Sequence, residues 1–536
     1  MVVAAQPEAV EAGAAVLRSG GNAVDAAIAA GLVAGVVDPQ MCGIAGFGNL
    51  QVFLPADGVH RCIDFHARSP LATKPDQWED LVLGETRDGF GFVLEGHVND
   101  LGHQSIATPG SMRAYFEAQT TWGVKDWDEI VQHAIRWAEE GFVVRPQVAF
   151  WWREGAAMGR VDNRERLAHS ATGRRLYFRD DGSLKRMGDV IVNPDLAATL
   201  RTIAAEGADA FYTGSIAERI VEDMAAGGGL LSAEDLASYR TVHNDPLAGS
   251  YRGRRITTNH PPGGGIMVLE MLNVLEHFDL ASMGHNTVDY VRTVTEVMKR
   301  ATSDKDEFVG DPAFVDVPVE RLLSADHAAA HAASVASGER ASVTRMAYES
   351  KDTTHVAVVD RDGNAASMTH SLGMPSGVIT DGLGFMFNGC MGVFDPRPGN
   401  ADSLAPGKSR FSSICPTMVF DDDPTAGDGD LRMVVGAPGG TQIAMGVTQA
   451  LLNVIDFGMG MAEAVDAPRV SGTSDAIDVA NGVPWSVTDA LEAEGHEVIR
   501  SPKTQDFALV HGIRVDGDRL DGGADPSGDG VVQLVR

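Results

Sequence analysis

The sequence is poor in cysteine and in long apolar runs. Among its 536 residues stand 4 cysteines, Cys42, Cys62, Cys390 and Cys415, without any C-x-x-C pair, so neither a thiolate zinc site nor a disulfide framework is predicted. We expect four reduced, buried thiols. The longest apolar stretch, 26–37, is far shorter than the roughly 20 residues that cross a bilayer, so no membrane span is predicted.

Positive charge is also scarce. Lysine and arginine total 43 against 74 aspartates and glutamates, which gives a formal net charge of −31. Such a chain repels phosphates and anionic lipids, so nucleic-acid binding is not predicted. Acidity with few lysines is typical either of a GC-rich genome or of adaptation to salt. The residues after Met1 show no basic region followed by an apolar one, so a cytoplasmic location is expected.

Short motifs that suggest cofactor binding lack their required neighbours. Gly407–Ser409 looks like the end of a phosphate-binding loop, but Asp402 stands where that motif needs its first glycine. The three glycines at 263–265 lack the spacing and the preceding strand of a dinucleotide fingerprint. The histidines show no H-E-x-x-H or similar ligand spacing, so no metal and no other cofactor is predicted.

The chain is two to four times as long as a usual domain, yet no repeat, low-complexity tract or linker divides it. We therefore expect one intertwined unit. The chain changes character at Thr353, from helix-rich to short strands separated by turns. The predicted helices are 8–18, 23–37, 128–140, 267–278 and one beginning near 442, and the predicted strands are 49–54, 353–360, 365–372 and 432–437.

The segment 351–356, Lys-Asp-Thr-Thr-His-Val, is a polar break that leads into a predicted strand. A threonine hydroxyl is a weak nucleophile without a neighbouring base. If the bond from Asp352 to Thr353 is cut, the new α-amine, with an ordinary pKa of about 7.7 to 8.0, can serve as that base. Two threonines at a strand start are also ordinary β-sheet residues, so this segment alone leaves both interpretations open. His355 is expected to be a hydrogen-bonded core histidine.

Longer motifs point to a family. The segment 352–365 resembles the start of the small subunit of gamma-glutamyltranspeptidases, and the resemblance extends over almost the whole chain. The other matching motifs, in the family's order, are Ser19-Gly20-Gly21-Asn22-Ala23-Val24-Asp25-Ala26-Ala27, Gly43-Ile44-Ala45-Gly46, Thr108-Pro109-Gly110, Ser232-Ala233-Glu234-Asp235-Leu236, Tyr251-Arg252-Gly253, Pro261-Pro262, Gly310-Asp311-Pro312, Ser412-Ser413, Pro416-Thr417 and Gly436-Ala437-Pro438-Gly439-Gly440.

The resemblance implies an α+β fold, the four-layer αββα sandwich of N-terminal-nucleophile hydrolases with two stacked antiparallel sheets. It implies self-cleavage into a large chain, 1–352, and a small chain, 353–536, which remain partners. It also implies that Thr353 attacks an amide carbonyl, that the backbone N–H groups of Gly439 and Gly440 hold the oxyanion, and that water or an amine resolves the acyl-enzyme. Glycines and a helix start suit that purpose, because both favour close approach of an anion to backbone N–H groups.

The chain departs from the family where the donor amino acid is recognised. The family's carboxylate-binding arginine falls on His66, and Arg68 is a possible substitute two residues on. Ser412 and Ser413, which bind that carboxylate in the family, are retained, and Ser371 replaces the family's second threonine.

The ligands of the donor's amino group are changed as well. Gly373 stands at the position of a usual asparagine, and the family's paired aspartates fall on Gly392 and Val393. In the stretch that begins at Asn388, only Asp395 could replace them, and both residues are candidates for substrate binding.

Three functions are therefore open. The first is a gamma-glutamyl hydrolase or transferase for glutathione-type amides, part of glutathione metabolism. The second is an amidase for another acidic acyl donor, such as a glutaryl or oxamate-like amide, which has a carboxylate and no α-amine. The third is a scaffold without turnover, which the intact Thr353, Gly439 and Gly440 argue against.

Overall fold

A computed structural model of the protein describes residues 1–86, 89, 91–153, 160–343, 353–421, 429–501 and 507–536. The strands in these ranges are β1 Val2–Ala4, β2 Phe47–Leu54, β3 Val59–Phe65, β4 Val82–Glu85, β5 Phe92–Leu94, β6 Phe142–Val143, β7 Val190–Ile191, β8 Val242–Asn244, β9 Leu247–Tyr251, β10 Arg254–Thr258, β11 Thr354–Val359, β12 Ala365–Ser371, β13 Thr417–Asp421, β14 Leu431–Gly436, β15 Val470–Ser471, β16 Ile477–Val479, β17 Val498–Arg500, β18 His511–Asp516, β19 Arg519–Ala524 and β20 Val531–Gln533.

The helices account for much of the remaining described chain. They are α1 Pro7–Arg18, α2 Ala23–Val37, α3 Ser111–Trp122, α4 Trp127–Glu140, α5 Pro146–Trp151, α6 Asn163–His169, α7 Ala171–Tyr177, α8 Pro194–Glu206, α9 Asp209–Tyr212, α10 Ser215–Gly227, α11 Ala233–Ser238, α12 Gly265–Leu275, α13 Leu280–Met283, α14 Val288–Phe308, α15 Val319–Leu322, α16 Ala325–Ala336, α17 Ile443–Ile455, α18 Met461–Asp466 and α19 Trp485–Ala493. Among the described residues, none of these helices combines the length and the apolar character that a bilayer span requires.

Two large antiparallel sheets form the centre of the molecule. In the described chain one has seven strands in the order β20-β1-β11-β12-β2-β3-β8, and the other has six in the order β19-β18-β14-β13-β10-β9. A buried apolar cluster that includes Met1, Val3, Phe420 and Ile513 fills the space between them. Each sheet thus contains strands from both sides of Thr353 in the sequence.

Helices cover the outer face of each sheet, so the predicted αββα arrangement is confirmed. Helix α2 packs on β11 and β12 of the seven-stranded sheet, and α12 and α17 pack on the six-stranded sheet. The close packing of α2 leaves no room for a side chain at Gly35, since a Cβ atom there would lie 2.9 Å from the backbone Cα atom of Gly43. Asn22 caps this helix by accepting from the N–H groups of Val24 and Asp25, which explains the polar break before the Ala-rich run.

The hairpin of β11 and β12 is the element that positions Thr353. Its register pairs Thr354 with His370 and Val359 with Ala365. Its turn is fixed by the carboxylate of Asp360, which accepts from the N–H of Asn364 and, through its second oxygen, from the N–H of Ala23 at the start of α2. The predicted strands 353–360 and 365–372 are therefore confirmed to within one residue at each end.

His355 is a hydrogen-bonded core residue, as expected. The Nδ1 atom of His355 lies 2.8 Å from the hydroxyl of Thr369, and burial holds the pKa of this imidazole well below its usual value. His355 is thus a neutral core residue. The four cysteines are buried and unpaired, as predicted.

Candidate active site

Thr353 immediately precedes β11 and is 7% exposed. Because β1 and β12 pair with β11 on its two sides, the backbone at this point is held firmly. The next residue adds a further constraint, since the hydroxyl of Thr354 donates to Oε1 of Gln6 at 3.0 Å. Asp352, the other half of the expected cleavage site, lies outside the described residues.

The hydroxyl of Ser371 forms a hydrogen bond with the hydroxyl of Thr353, the candidate nucleophile. The Oγ1 atom of Thr353 donates to the Oγ atom of Ser371 at 3.2 Å, and the N–H of Gly373 donates to the same Oγ at 2.8 Å. Gly373 adopts a positive φ of 74° and has no room for a side chain, because a Cβ atom would lie 2.9 Å from Sγ of Cys390. This turn after β12 therefore orients the serine hydroxyl towards Thr353.

Gly439 and Gly440 connect β14 to α17 and both adopt a positive φ, 145° and 56°. A Cβ atom on Gly439 would lie 2.5 Å from Cα of Ala508, so a side chain is excluded there. Among the described residues, the N–H groups of both glycines lack a hydrogen-bond acceptor. Free N–H groups at a turn that leads into a helix suit a developing oxyanion.

Thr353 lines two cavities, each of which also contains one of these glycines. The first, which we call the arginine cavity, is lined by Phe47, Gly89, Thr353, Val393, Arg410, Phe411, Ser412, Ser413, Gly440, Thr441 and Ile443. The second, the aspartate cavity, is lined by Ala5, Gln6, Asp38, Met41, Gln147, Trp151, Thr353, Pro438, Gly439, Phe507, Leu509, His511, Gly528, Asp529 and Gly530.

The arginine cavity brings one cation and two serines together beside Thr353. The guanidinium of Arg410 lies 4.3 Å above the ring of Phe47, and its Nη1 atom donates to the carbonyl of Phe411 at 2.9 Å. Its Nε atom has no hydrogen-bond partner, and Arg410 is only 2% exposed. No carboxylate among the described residues forms an ion pair with it. The buried carboxylate of Asp402 interacts with Arg410 through space without pairing with it, so an anion that enters this cavity would gain a guanidinium partner.

Arg410 was not predicted from the sequence, because the family's carboxylate-binding arginine falls on His66 and only Arg68 was considered as its substitute. The signal was present, since Arg410 stands two residues before the predicted Ser412 and Ser413. The structure places all three on the wall of the same cavity.

His66 and Arg68 do not line either cavity among the described residues. His66 is buried beneath Phe47, with its ring centroid 5.8 Å from that ring, and its Nδ1 atom lies 2.7 Å from Asp64. The guanidinium of Arg68 stacks 5.2 Å from the ring of Tyr239 and donates to the carbonyl of Arg240. Arg410, and not Arg68, therefore lines the cavity beside Thr353.

The side chains of Asn388 and Asp395 both form hydrogen bonds or ion pairs within the protein. The side-chain nitrogen of Asn388 donates to the carbonyls of Ala45 and Ala107, at 2.9 Å each. The carboxylate of Asp395 pairs with Arg397 at 2.7 Å and lines a neighbouring cavity that shares Val393 with the arginine cavity. Neither Asn388 nor Asp395 is among the residues that line the arginine cavity.

The aspartate cavity has the opposite electrostatic character. Burial raises the pKa of Asp38 to about 6, and burial likewise raises the pKa of Asp529. Arg145 opposes both shifts, lying 4.0 Å from Asp38 and 3.1 Å from Asp529, and it also pairs with Glu8 at 3.2 Å. One guanidinium facing three carboxylates leaves an excess of negative charge, so this cavity does not suit an acidic acyl group.

The comparisons with known proteins agree with this geometry. Residues 9–535 match the family described as gamma-glutamyltranspeptidase. The chain belongs to this family. Among curated members, it is 37% identical to the acylase ACY 1 proenzyme of Pseudomonas sp. (strain V22) over 94% of this chain and 88% of that one. It is 32% identical to the glutathione hydrolase proenzyme of Escherichia coli (strain K12) over 93% of this chain and 85% of that one.

Solved structures of gamma-glutamyltranspeptidase relatives share the fold. Cephalosporin acylase from Bacillus halodurans superposes with a TM-score of 0.85 at 28% identity, over 99% of this chain and 95% of that one. Gamma-glutamyltranspeptidase from Helicobacter pylori superposes with a TM-score of 0.55 at 31% identity, over 62% of this chain and 90% of that one. Both hydrolases of glutathione and acylases are therefore relatives of this gamma-glutamyltranspeptidase family member.

Proposed function

We propose that the protein cuts itself between Asp352 and Thr353 and then cleaves amides of acidic acyl groups through Thr353. The main support for this proposal is the arginine cavity. Its lining includes Thr353, Gly440, Arg410, Ser412 and Ser413. A nucleophile, an oxyanion site and a carboxylate site are all needed for this reaction, and this cavity offers a residue for each. Membership of an enzyme family that includes proenzymes supports the same proposal.

The proposed reaction uses two groups of one residue. The α-amine freed by the cut takes the proton of the Thr353 hydroxyl while its Oγ1 atom bonds to the amide carbonyl carbon. The N–H groups of Gly439 and Gly440 stabilise the oxyanion of the tetrahedral intermediate. When the carbon–nitrogen bond breaks, the leaving amine receives the proton. Water or another amine then attacks the ester and regenerates the Thr353 hydroxyl.

The hydroxyl of Ser371 supports the nucleophile in this scheme. It already accepts a hydrogen bond from Thr353 and is itself fixed by the N–H of Gly373. A fixed acceptor holds Oγ1 in one rotamer, which reduces the entropy lost on reaching the attack geometry.

The acyl group is bound by its distant carboxylate. Arg410 supplies the charge and the unpaired Nε donor, and the hydroxyls of Ser412 and Ser413 lie beside it on the cavity wall. The rings of Phe47 and Phe411 and the side chain of Val393 form the apolar part of the wall, which suits the methylene groups of a short acyl chain.

Gamma-glutamyl amides of the glutathione type are the first candidate donors, supported by the family and by the glutathione hydrolase relatives. A second candidate is a dicarboxylic acyl donor without an α-amine, such as a glutaryl amide. It is favoured by one observation: among the described residues that line the arginine cavity, none carries a carboxylate to pair with an ammonium group. The similarity to the acylase ACY 1 proenzyme points the same way.

Self-processing is tested by a denaturing gel with intact-mass analysis of the purified protein. We expect two chains, one of which starts at Thr353, and a single species of 56.7 kDa would overturn the proposal. The donor is tested by comparing kcat/KM for gamma-glutamyl-p-nitroanilide and glutaryl-p-nitroanilide. A preference for the gamma-glutamyl compound supports the first candidate, and a preference for the glutaryl compound selects the second.

A further inference from the structure

Four side chains that commonly bind metals meet between three helices outside the active site. They are Glu270 on α12, Asp304 on α14, and His327 and His331 on α16. One ligand atom from each lies within 4.8 Å of all the others. We propose that this cluster is a structural site for one Zn²⁺ ion.

The spacing of the ligand atoms fits a tetrahedral ion. Nε2 of His327 lies 3.2 Å from Oε1 of Glu270 and 3.2 Å from Oδ2 of Asp304, and Nε2 of His331 lies 2.9 Å from the same Oδ2. Zinc bonds of about 2.0 to 2.1 Å in a tetrahedron place neighbouring ligand atoms about 3.3 Å apart. A small adjustment of the side chains would therefore enclose the ion.

The helices present these ligands without strain. His327 and His331 are four residues apart on α16, so both side chains project from one face of the helix. Their rings lie 4.3 Å apart and nearly perpendicular, at 80°, which directs both Nε2 atoms towards Asp304. Helices α12, α14 and α16 all contact one another, so the site closes a three-helix junction.

The two carboxyl groups of the cluster also favour the binding of a cation. The side chains of Glu270 and Asp304 are 3% and 14% exposed, and among the described residues neither forms an ion pair with a lysine or arginine. Glu270 is buried and Asp304 is partly buried, and two carboxylates this close together repel each other unless a shared proton or a cation compensates their charge. With two neutral imidazoles, they balance the charge of one divalent ion.

The ligand types select the metal. Calcium and magnesium take oxygen ligands, whereas two imidazole nitrogens with two carboxylates suit zinc. Four protein ligands leave no open position on a tetrahedral ion, so the role is structural. The sequence analysis predicted no metal. It missed the His-x-x-x-His spacing on α16, and the two carboxylates come from positions 57 and 23 residues before His327.

The site would anchor α16, the last helix before Thr353 in the part of the chain that the structure describes. After α16, the chain is held by Arg300, which donates to the carbonyl of Glu339, and by Asp475, which accepts from the N–H of Val343. Thr353 follows ten residues later. Zinc between α12, α14 and α16 would therefore anchor the carboxyl-terminal part of the large chain after processing.

The test uses untagged full-length protein, stripped with a chelator and titrated with ZnCl₂ against a chromophoric chelator. We expect one zinc per chain, and a higher melting temperature with zinc than without it. The double variant His327→Ala/His331→Ala should lose both effects. His277→Ala, which removes an exposed histidine just after α12, should keep them.

Two further measurements keep the proposal testable if the double variant does not fold. Asp304→Asn should weaken zinc binding at least ten-fold, and anomalous diffraction from the wild-type protein at the zinc edge should give a peak between the three helices. Equal zinc binding by the wild type and Asp304→Asn, or an anomalous peak elsewhere, would overturn the site. Repeating the titration with Thr353→Ala separates this result from the proposed activity.

Discussion

The hydroxyl of Thr353 donates to the hydroxyl of Ser371 across 3.2 Å, which joins the residue before β11 to the last residue of β12. The two are 18 residues apart, and the antiparallel register of the hairpin brings them together. The position of the proposed nucleophile therefore depends on a turn and a strand that lie after it in the sequence.

Removing the hydroxyl of Thr353 should abolish both processing and activity. We expect Thr353→Ala to remain a single chain of 56.7 kDa, and Thr353→Ser to be cut, because serine keeps the hydroxyl. Ser371→Ala should still fold and be processed. Its kcat should fall by on the order of ten-fold, because the loss of one hydrogen bond raises the activation free energy by about 1.4 kcal/mol. Intact mass and p-nitroaniline release measure both effects. Normal turnover by uncut Thr353→Ala would contradict the mechanism.

A side chain at Gly439 should displace the proposed oxyanion site. Gly439→Ala would place Cβ 2.5 Å from Cα of Ala508, so we expect kcat to fall by on the order of 100-fold or more. Gly458→Ala is the matched control, since Gly458 also has a positive φ, 68°, but nothing lies within 4 Å of its Cβ position. It should lower stability slightly and leave kcat unchanged. An equal loss of kcat in the two variants would show that the effect is one of folding.

Replacing Arg410 should remove the recognition of acidic acyl groups. Arg410→Met keeps the volume and loses the charge, so kcat/KM for glutaryl-p-nitroanilide and gamma-glutamyl-p-nitroanilide should fall by on the order of 100-fold, about 3 kcal/mol. Hydrolysis of an uncharged butyryl-p-nitroanilide should fall much less, because this acyl group has no carboxylate for Arg410 to bind.

Arg68→Met is the control for that experiment. Its guanidinium stacks on Tyr239 and does not line the arginine cavity, so we expect near-normal kinetics with all three compounds. The reverse pattern, with a large loss for Arg68→Met and none for Arg410→Met, would return the carboxylate-binding role to Arg68.

Buried histidines should make the fold sensitive to acid. Burial lowers the pKa of His60, His370 and His511 to about 3 each, from an ordinary value near 6.5. Below pH 6.5 the unfolded chain binds protons that the folded chain does not, so stability falls as the pH drops from 6.5 towards 3. Asp38 and Asp402, whose pKa burial raises to about 6, act in the opposite direction with smaller shifts.

The dependence of stability on pH can be measured as the urea midpoint of unfolding of the variant Thr353→Ala. This variant is expected to remain a single chain, so processing does not affect the measurement. We expect a clearly lower midpoint at pH 5.0 than at pH 7.5, at equal ionic strength. A midpoint that is unchanged or higher at pH 5.0 would mean that the histidine shifts do not govern acid stability.

Much of the fold was accessible from the sequence because local patterns determine it. The alternating residues after Thr353 predict the hairpin of β11 and β12, and the Ala-rich run after Asn22 predicts α2 with its bounds. The pairing order of the strands required the structure. β1 lies between β11 and β20, and no pattern within Val2–Ala4 specifies partners more than 350 residues away.

The site was only partly predictable for a similar reason. Family motifs located Thr353, Gly439 and Gly440, but the arginine was sought in the loop after β3. The structure instead brings Arg410 to the cavity from the segment before β13, 57 residues after Thr353. Nor does the sequence show that Asp395 pairs with Arg397 and lines a neighbouring cavity instead of the arginine cavity.

The presence of strands from before and after Thr353 in both sheets determines how the two products of a cut before Thr353 would behave. β1 would stay hydrogen-bonded between β11 and β20, β2 beside β12, and β10 beside β13. Separating the two chains would require breaking backbone ladders in both sheets and exposing the core between them. Dissociation and global unfolding would then be one event, so subunit exchange between molecules should be as slow as unfolding itself.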